Sequence, residues 1–229
     1  FNTPHTIVEG FRGIGLSPTK WLGKKEFYDS FDKFVPCISL SGNKAYYWSK
    51  YKHVRIDFDG LKERILNSEW YRKGLQYHEY GHAKAALQGN WEGNADFKNL
   101  YKRFFADYNK PEYRYVDGEG VSQWKIADRL SEELKLVKDK TYDVMEQFGK
   151  ISDTLQAIDK DHNWIQGMLG HEVDYFASSS HNCLAEIIAH LSENYWSNNK
   201  YFKKVLPRLY NEAMALYEKY YKLNKPTKR

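Results

Sequence analysis

The chain has 229 residues, a net charge of +5 and 41% hydrophobic side chains, so it is long enough to bury a core without disulfide staples. Its two cysteines, Cys37 and Cys183, cannot alone build a disulfide framework or a cysteine zinc site, and a reducing, cytoplasmic setting is the default. No apolar run is long enough for a membrane span and no secretion signal opens the chain, while Phe1 is not a natural first residue and indicates a fragment of a longer protein.

Aromatic residues make up 17% of the chain, and its last residues, KLNKPTKR, are basic. These features raise the alternative of a nucleic-acid-binding module with stacking side chains. Most aromatic residues stand at helical or alternating spacings, which is typical of core positions, and acidic residues are interspersed with the lysines. We therefore expect neither a nucleic-acid partner nor a membrane partner.

The first 60 residues are predicted to form loops and strands. Residues 1–25 are rich in Gly, Pro, Thr and Ser and are predicted as loop, followed by a short helix at KEFYDSFDKF. The stretch VPCISLSG predicts a strand that ends in a turn. The stretch KAYYWSKYKHVRIDFDG is rich in Tyr, Val and Ile and predicts one or two strands, closed by the turn signal Asp59-Gly60.

Residues 61–89 have apolar side chains at helical spacing and are predicted as a helix region. A break is expected near Asn67, because Ser68 can cap a new helix that has Glu69 in its first turn. Gly89 is expected to end this second helix. The stretch HEYGH therefore lies in the middle of a helix of about five turns.

The rest of the chain is predicted to be mainly helical. Residues 90–145 contain the helical stretch NADFKNLYKRFFADY, a turn-rich stretch and the start of another helix, in which Gly149 marks a possible break. Residues 146–229 contain the loop DKDHNWIQGMLGHEVDYFASSSHN and two helices, CLAEIIAHLSENYW and KYFKKVLPRLYNEAMALYEKYYK, with Pro207 in an early turn of the second. We predict one α+β, mainly helical domain over residues 1–229, with a small sheet.

The stretch HEYGH has the pattern His-Glu-x-x-His, which is typical of zinc hydrolases. On a helix His78 and His82 lie on one face, so that both imidazoles can reach one ion at about 2 Å. Glu79 is close enough to reach a water bound to that ion. It can accept a proton from this water because the metal lowers the pKa of the water towards about 7. The pattern predicts a zinc site with a general base.

The alternative is a surface helix with two ordinary histidines. The neighbours Leu75, Ala85 and Ala86 indicate a packed helix instead. Gly81 lowers helix stability, and a glycine inside the motif is explained if another backbone or the surroundings of the metal press close to it.

A catalytic zinc site needs a third protein ligand and one open position for water. Glu186 is our choice, because a carboxylate at the edge of a buried helix face is costly unless it is paired or bound to metal. An ordinary surface glutamate is the alternative. The buried face is defined by Leu184, Ile187, Ile188 and Leu191, and small Ala185 and Ala189 leave room for a partner helix. The other candidate ligands are His162, His171, His181 and His190.

His190 follows Glu186 by one helical turn. We expect His190 to hydrogen-bond a ligand side chain, and the alternative is a fourth ligand in a closed, structural site. His171 and His181 flank the loop before this helix and are interpreted either as substrate contacts or as plain loop histidines.

The stretches HEYGHAKAAL and NCLAEIIAHLSENYW resemble the zincin-like metallopeptidase domain of the anthrax lethal factor type, a gluzincin-like arrangement. With ISDTLQAI and GMLGHEVDYF between them, and an aromatic-rich helix after YFKKVLPRLY, the order of motifs is most similar to zincin-like domains of phage minor head and head-morphogenesis proteins. The resemblance covers roughly residues 68–88 and 145–222. It implies a zincin-like metallopeptidase fold with a helical insertion at residues 90–145, between the His-Glu-x-x-His helix and the glutamate-ligand helix.

By position, the resemblance implies that His78 and His82 are the zinc histidines, Glu79 the general base and Glu186 the third ligand. It also implies that Tyr175 donates a hydrogen bond to the oxyanion, and the alternative for this residue is a packing tyrosine.

Two departures limit what the resemblance implies about substrate. About a hundred residues separate His82 from Glu186, which is longer than in the lethal factor type. His190 also stands where that type has a second acidic residue.

The sequence thus predicts a zinc metallopeptidase that acts on a protein or peptide, with a strand from YYWSKYKHVRIDF pairing with the extended substrate. A phage enzyme of this kind would process capsid proteins or act on host proteins, in the virion or the host cytoplasm. The alternative is a non-catalytic virion, head-assembly or protein-interaction module that keeps a zincin fold and an inert zinc site. The intact Glu79 argues against this alternative.

Overall fold

The computed structural model describes residues 3–165 and 168–223, and in this part of the chain helices predominate over two small sheets. The expected α+β, mainly helical class is therefore confirmed. The helices are α1 His5–Gly13, α2 Pro18–Trp21, α3 Lys25–Tyr28, α4 Lys62–Asn67, α5 Glu69–Leu87, α6 Ala95–Tyr108, α7 Lys125–Leu136, α8 Tyr142–Ile158, α9 Val173–Ala177, α10 Ser180–Ser197, α11 Phe202–Val205 and α12 Pro207–Leu223. The strands are β1 Cys37–Ile38, β2 Ala45–Trp48, β3 His53–Ile56, β4 Arg114–Val116 and β5 Ser122–Trp124.

The chain divides into two compact units. The first is built from Phe1–Trp91, Ile188–Asn198 and Tyr217–Arg229, and the second from Glu92–Ile187 and Asn199–Leu216. Helix α10 therefore begins in the second unit and ends in the first. Among the described residues, none of the helices has both the length and the apolar character that a membrane crossing requires.

The sheet of the first unit has three strands in the order β1-β3-β2, with β1 parallel and β2 antiparallel to β3. Val54 and Ile56 alternate with partly exposed residues and bury one face of β3. The stretch predicted as one or two strands forms two, β2 and β3. The predicted turn after β3 is also present. A Cβ on Gly60 in this turn would lie 1.7 Å from the carbonyl oxygen of Gly42, which explains the glycine.

Asp57 fixes the end of β3 and the turns around it. Its buried carboxylate accepts hydrogen bonds from Arg55 Nε at 2.8 Å and Nη2 at 2.6 Å, and from the backbone amides of Leu40 at 3.0 Å and Lys44 at 3.1 Å. Burial by itself raises the pKa of the Asp57 carboxyl, but the hydrogen bonds from Arg55 and the two amides outweigh it and hold the pKa below its usual value.

The predicted break between α4 and α5 is confirmed at Ser68. The Ser68 Oγ accepts a hydrogen bond of 3.0 Å from the backbone amide of Tyr71, which caps α5. At the other end α5 stops at Leu87, and Gly89 adopts a φ of +99°, a left-handed conformation that suits glycine. The capping residues therefore define a helix of about five turns around the His-Glu-x-x-His stretch.

Aromatic side chains from α3 and α5 fill the core of the first unit. The rings of Phe27 and Tyr77 lie 5.0 Å apart, those of Tyr28 and Tyr80 lie 5.4 Å apart, and both pairs meet edge to face. The Tyr80 hydroxyl donates a hydrogen bond of 2.9 Å to the carbonyl oxygen of Val35. The expectation that aromatic residues serve the core is confirmed here, and α5 is held in place against β2 and β3.

The loop predicted for the first 25 residues is wrong, because α1 and α2 lie within it. Ile7 and Phe11, one turn apart on α1, are fully buried. Gly10 suggested a loop, yet a Cβ at this position would lie 2.3 Å from the ring of Phe58. Tertiary packing therefore stabilises a helix that intrinsic propensity disfavours.

The second unit contains two departures from the predicted elements. The turn-rich stretch after α6 forms an antiparallel hairpin of β4 and β5. The predicted break at Gly149 is wrong, because α8 continues through it. The predicted helix is interrupted instead between Leu136 and Tyr142, and Thr141 caps α8 by accepting a hydrogen bond of 3.3 Å at its Oγ1 from the amide of Val144. A Cβ at Gly149 would make a tight contact of 3.1 Å with the side chain of Leu169.

The C-terminal part follows the prediction with smaller changes. The short helix α9 lies inside a stretch predicted as loop. The last predicted helix is divided into α11 and α12, and Pro207 is the first residue of α12, where its ring suits helix geometry.

Candidate metal centre

The His-Glu-x-x-His stretch lies in the middle of α5, and the side chains of its two histidines and its glutamate lie close together. His78 and His82 are one turn apart, and their ring centroids are separated by 5.0 Å. One ligand atom each of His78, Glu79 and His82 lies within 4.8 Å of the others. His78 and Glu79 are only 5% and 6% exposed, so the alternative of a surface helix is wrong.

Gly81 allows the C-terminal half of α10 to approach α5 closely. A Cβ on Gly81 would lie 2.7 Å from Cβ of Ser192 and 3.4 Å from Cα of Ala189. The Ser192 Oγ donates a hydrogen bond of 2.8 Å to the carbonyl oxygen of Tyr77. Of the two explanations that the sequence offered for this glycine, the close approach of another backbone is confirmed.

Glu193 connects two of the histidines and was missed by sequence reasoning. Its Oε2 lies 3.2 Å from Nδ1 of His190 and 3.8 Å from Nδ1 of His78. The rings of His78 and His190 are 4.7 Å apart. A carboxylate at Nδ1 favours the tautomer that carries its proton there, which leaves Nε2 as the atom able to bind a metal. The available signal was the position of Glu193 on α10, three residues after His190.

Glu79 is close enough to the Cys37 thiol on β1 for its charge to act on that group. Burial, followed by the negative charge of Glu79, raises the pKa of the Cys37 thiol to about 12. Cys37 therefore stays protonated beside the carboxylate at neutral pH and contributes no second negative charge. Cys37 and Cys183 are both free thiols.

Glu186, the predicted third ligand, is 3% exposed and lies on α10, one turn before His190. Its Oε1 accepts a hydrogen bond of 2.8 Å from the hydroxyl of Tyr175 on α9. The structure thus brings the predicted oxyanion donor next to the predicted ligand, although eleven residues separate them in sequence. Since Glu186 is buried, the alternative of an ordinary surface glutamate is wrong.

Asp153 on α8 forms a pair with His171 that sequence reasoning also missed. His171 Nδ1 lies 2.7 Å from Asp153 Oδ1, and the His171 backbone amide donates to the same oxygen at 3.2 Å. The other ring nitrogen, Nε2, lies 3.8 Å from Glu186 Oε1. The His171 ring also stacks on Tyr175 with centroids 4.4 Å apart and an interplanar angle of 18°. No local signal marks Asp153, which precedes His171 by eighteen residues.

The two other candidate ligands occupy different surroundings. His162 lies with its Nδ1 2.8 Å from the carbonyl oxygen of Gln156. His181 is an exposed side chain at the start of α10, 3.5 Å from Glu92. Within the described residues, neither belongs to a group of three side chains close enough to share an ion.

The donor set around His78 fits zinc chemically, because imidazole nitrogens and carboxylate oxygens are its usual ligands and the carboxylate of Glu193 faces Nδ1. Comparisons of the chain with protein-family models, with curated proteins and with solved structures found no match.

Proposed function

We propose that this chain is a zinc-dependent metallopeptidase with a zincin-like fold, in which His78, His82 and Glu186 hold the ion and Glu79 is the general base. The observation that carries the proposal is the buried imidazole of His78 and the half-buried imidazole of His82 on one side of α5, with Glu79 within 4.8 Å of both. Buried carboxylates and imidazoles are costly unless a partner compensates them, and a divalent cation does so.

Glu186 is proposed as the third ligand on two grounds. It is a buried carboxylate one helical turn before His190, whose ring lies beside His78. It also matches the glutamate ligand in the family that the sequence resembles. His190, whose Nδ1 faces Glu193, is proposed to support the ligand histidines rather than to complete a closed site.

When bound, zinc would polarise the scissile carbonyl group and make water a stronger acid. Glu79 then accepts the proton of the attacking water and delivers it to the leaving amine. Tyr175, now hydrogen-bonded to Glu186, would turn its hydroxyl to the developing oxyanion. Each role belongs to a side chain that is already buried or held by a partner.

The substrate is proposed to be an extended protein or peptide segment. Strand β2 forms an edge of the three-stranded sheet and packs on α5, so a peptide paired with β2 would run along the helix that carries the motif. In a phage, capsid proteins or host proteins would be the substrates, in the virion or the host cytoplasm.

The decisive experiment combines metal analysis with a proteolysis assay. We expect about one zinc at the His78 centre, which is lost in His78→Ala and retained in Glu79→Gln. Cleavage of an unfolded protein, such as reduced and alkylated lactalbumin, should be present in the wild type and absent in Glu79→Gln. His181→Ala, which removes an exposed histidine, is the matched control and should keep both properties.

Two results would redirect the assignment. If His78→Ala keeps the zinc content of the wild type, the proposed centre is wrong. If zinc binds at His78 but the wild type cleaves neither unfolded protein nor capsid protein, the chain is the alternative, a virion or interaction module with an inert zinc site.

A further inference from the structure

We propose that Nε2 of His171 and the carboxylate of Glu186 bind a second divalent cation, which lies entirely within the second unit, and that Asp153 orients His171 from the Nδ1 side of its ring. One ligand atom of each residue lies within 4.8 Å of the others. The three side chains come from α8, from the loop before α9 and from α10, so the fold brings them together from separate segments.

The orientation of His171 is the first argument. Asp153 Oδ1 accepts both the backbone amide of His171 at 3.2 Å and its Nδ1 at 2.7 Å, so Nδ1 carries the proton. Stacking on Tyr175 fixes the plane of the ring. The remaining nitrogen, Nε2, is then presented towards Glu186. A carboxylate that orients a ligand histidine in this way is a common feature of metal sites.

The spacing of the donor atoms is the second argument. Nε2 of His171 and Oε1 of Glu186 are 3.8 Å apart. Two donors bound to one tetrahedral zinc, at about 2.0–2.2 Å each, are separated by roughly 3.4 Å. A small rotation of either side chain, which moves Nε2 or Oε1 by a few tenths of an ångström, therefore brings both atoms within coordination distance of one ion.

Charge and access are the third argument. Two buried carboxylates, Asp153 at 5% and Glu186 at 3% exposure, flank one imidazole. A divalent cation balances this negative charge at a place where water does so poorly. The His171 side chain is 38% exposed, so an ion and its remaining water ligands can enter from solvent. One imidazole with carboxylates favours zinc or manganese over calcium.

The proposal does not require peptidase activity, and it uses neither histidine of α5. Glu186 is the one residue that it shares with the proposed zinc centre. The Glu186 carboxylate has two oxygens, so it can offer one to each ion. The test must therefore separate ions that depend on His171 from ions that depend on His78.

Calorimetric titration of the metal-stripped chain with Zn²⁺ makes this separation. We expect two equivalents for the wild type, one for His171→Ala and one for His78→Ala. His181→Ala is the matched control in the same unit and should still bind two. Asp153→Asn keeps an oxygen acceptor for the backbone amide and should weaken only the His171-dependent ion, by about 10- to 100-fold. Far-ultraviolet circular dichroism verifies that each variant is folded.

Two results would overturn the second site. One is a His171→Ala variant that binds as many equivalents as the wild type. The other is a loss of all binding in both His171→Ala and His78→Ala, which would mean a single common site. A His78→Ala variant that loses no ion, while His171→Ala loses one, supports the second site and contradicts the proposed zinc centre instead.

Discussion

The Ser192 hydroxyl donates a hydrogen bond of 2.8 Å to the carbonyl oxygen of Tyr77, the residue before His78. This bond ties α10 to the turn of α5 that carries the His-Glu-x-x-His stretch. Gly81 makes the approach possible, because it presents no side chain to Ser192 and Ala189. The metal-binding face of α5 therefore depends on a close helix contact.

Gly81→Ala should separate these two helices. The added methyl group would lie 2.7 Å from Ser192 Cβ, whose position is fixed by the backbone, so the helices must move. We expect a loss of about 1–3 kcal/mol in the free energy of unfolding. Urea denaturation followed by circular dichroism measures the loss. Gly13→Ala, at a helical glycine with open space around it, is the control and should be neutral or slightly stabilising. Equal effects at both positions would contradict the packing role of Gly81.

Glu193→Gln should weaken metal binding although it removes none of the proposed metal ligands. The carboxylate lies 3.2 Å from His190 Nδ1 and 3.8 Å from His78 Nδ1, and glutamine keeps its shape but not its charge. We expect zinc affinity to fall by about 10- to 100-fold, as measured by competition with a chelator. Glu218→Gln, at an exposed position on α12, should leave the affinity unchanged. Wild-type affinity in Glu193→Gln would show that this carboxylate does not support the histidines.

Tyr175→Phe distinguishes an oxyanion donor from a packing tyrosine. The variant removes only the hydroxyl that now bonds Glu186 Oε1 and keeps the ring that stacks on His171. If the proposed peptidase activity is present, kcat should fall by about 100- to 1,000-fold, with KM and zinc content nearly unchanged. An unchanged kcat would assign Tyr175 to packing.

Asp57 should make the stability of the first unit sensitive to acid. Because the pKa of Asp57 is lower in the folded than in the unfolded chain, its carboxylate stabilises the fold above the ordinary value near 3.9. That contribution is lost as pH falls through the lowered folded value. In Asp57→Asn we expect a less stable protein at pH 7, by about 1–3 kcal/mol, because Arg55 and the two amides lose a charged acceptor, and a smaller further loss between pH 5 and pH 3.

Urea denaturation at several pH values measures this difference. Asp32→Asn, which changes an exposed carboxylate, serves as the control and should keep the acid sensitivity of the wild type. If Asp57→Asn and the wild type lose stability in parallel with acid, the carboxylate of Asp57 is not the titrating group.

The two thiols should be unreactive in the folded protein. Cys37 and Cys183 are 4% and 1% exposed, and burial raises the pKa of both, that of Cys37 to about 12. At pH 8 both remain protonated, so a thiol reagent that reacts with thiolates should label neither. In guanidinium chloride both should react at once. Rapid labelling of the native protein, assigned with Cys37→Ser, would contradict the buried position of Cys37.

Local signals account for what the sequence predicted well. Ser68 before an acidic residue marks a helix start through its own capping bond, and alternation around Val54 marks a buried strand. The His-Glu-x-x-His spacing depends only on helix geometry. The role of Gly81 could also be predicted from the sequence, since a glycine in a packed helix indicates a close neighbour.

The remaining features depend on contacts between distant segments. Helix α1 is stabilised by the burial of Ile7 and by the ring of Phe58, neither of which its own composition reveals. Asp153 gains its role only because α8 places it beside His171, and Glu193 only because α10 packs on α5. Contacts between separate segments, such as Asp153 with His171 and Glu193 with His78, have no characteristic spacing in a sequence.

The contact at Gly81 also bears on the entropy of ligand binding. Its contacting atoms, Ser192 Cβ and Ala189 Cα, move only with the main chain, so the backbone sets the spacing between α5 and α10 where they carry His78 and His190. A site whose spacing is set in this way is pre-organised. An arriving cation then has to immobilise few groups, and most of its interaction energy remains available as affinity.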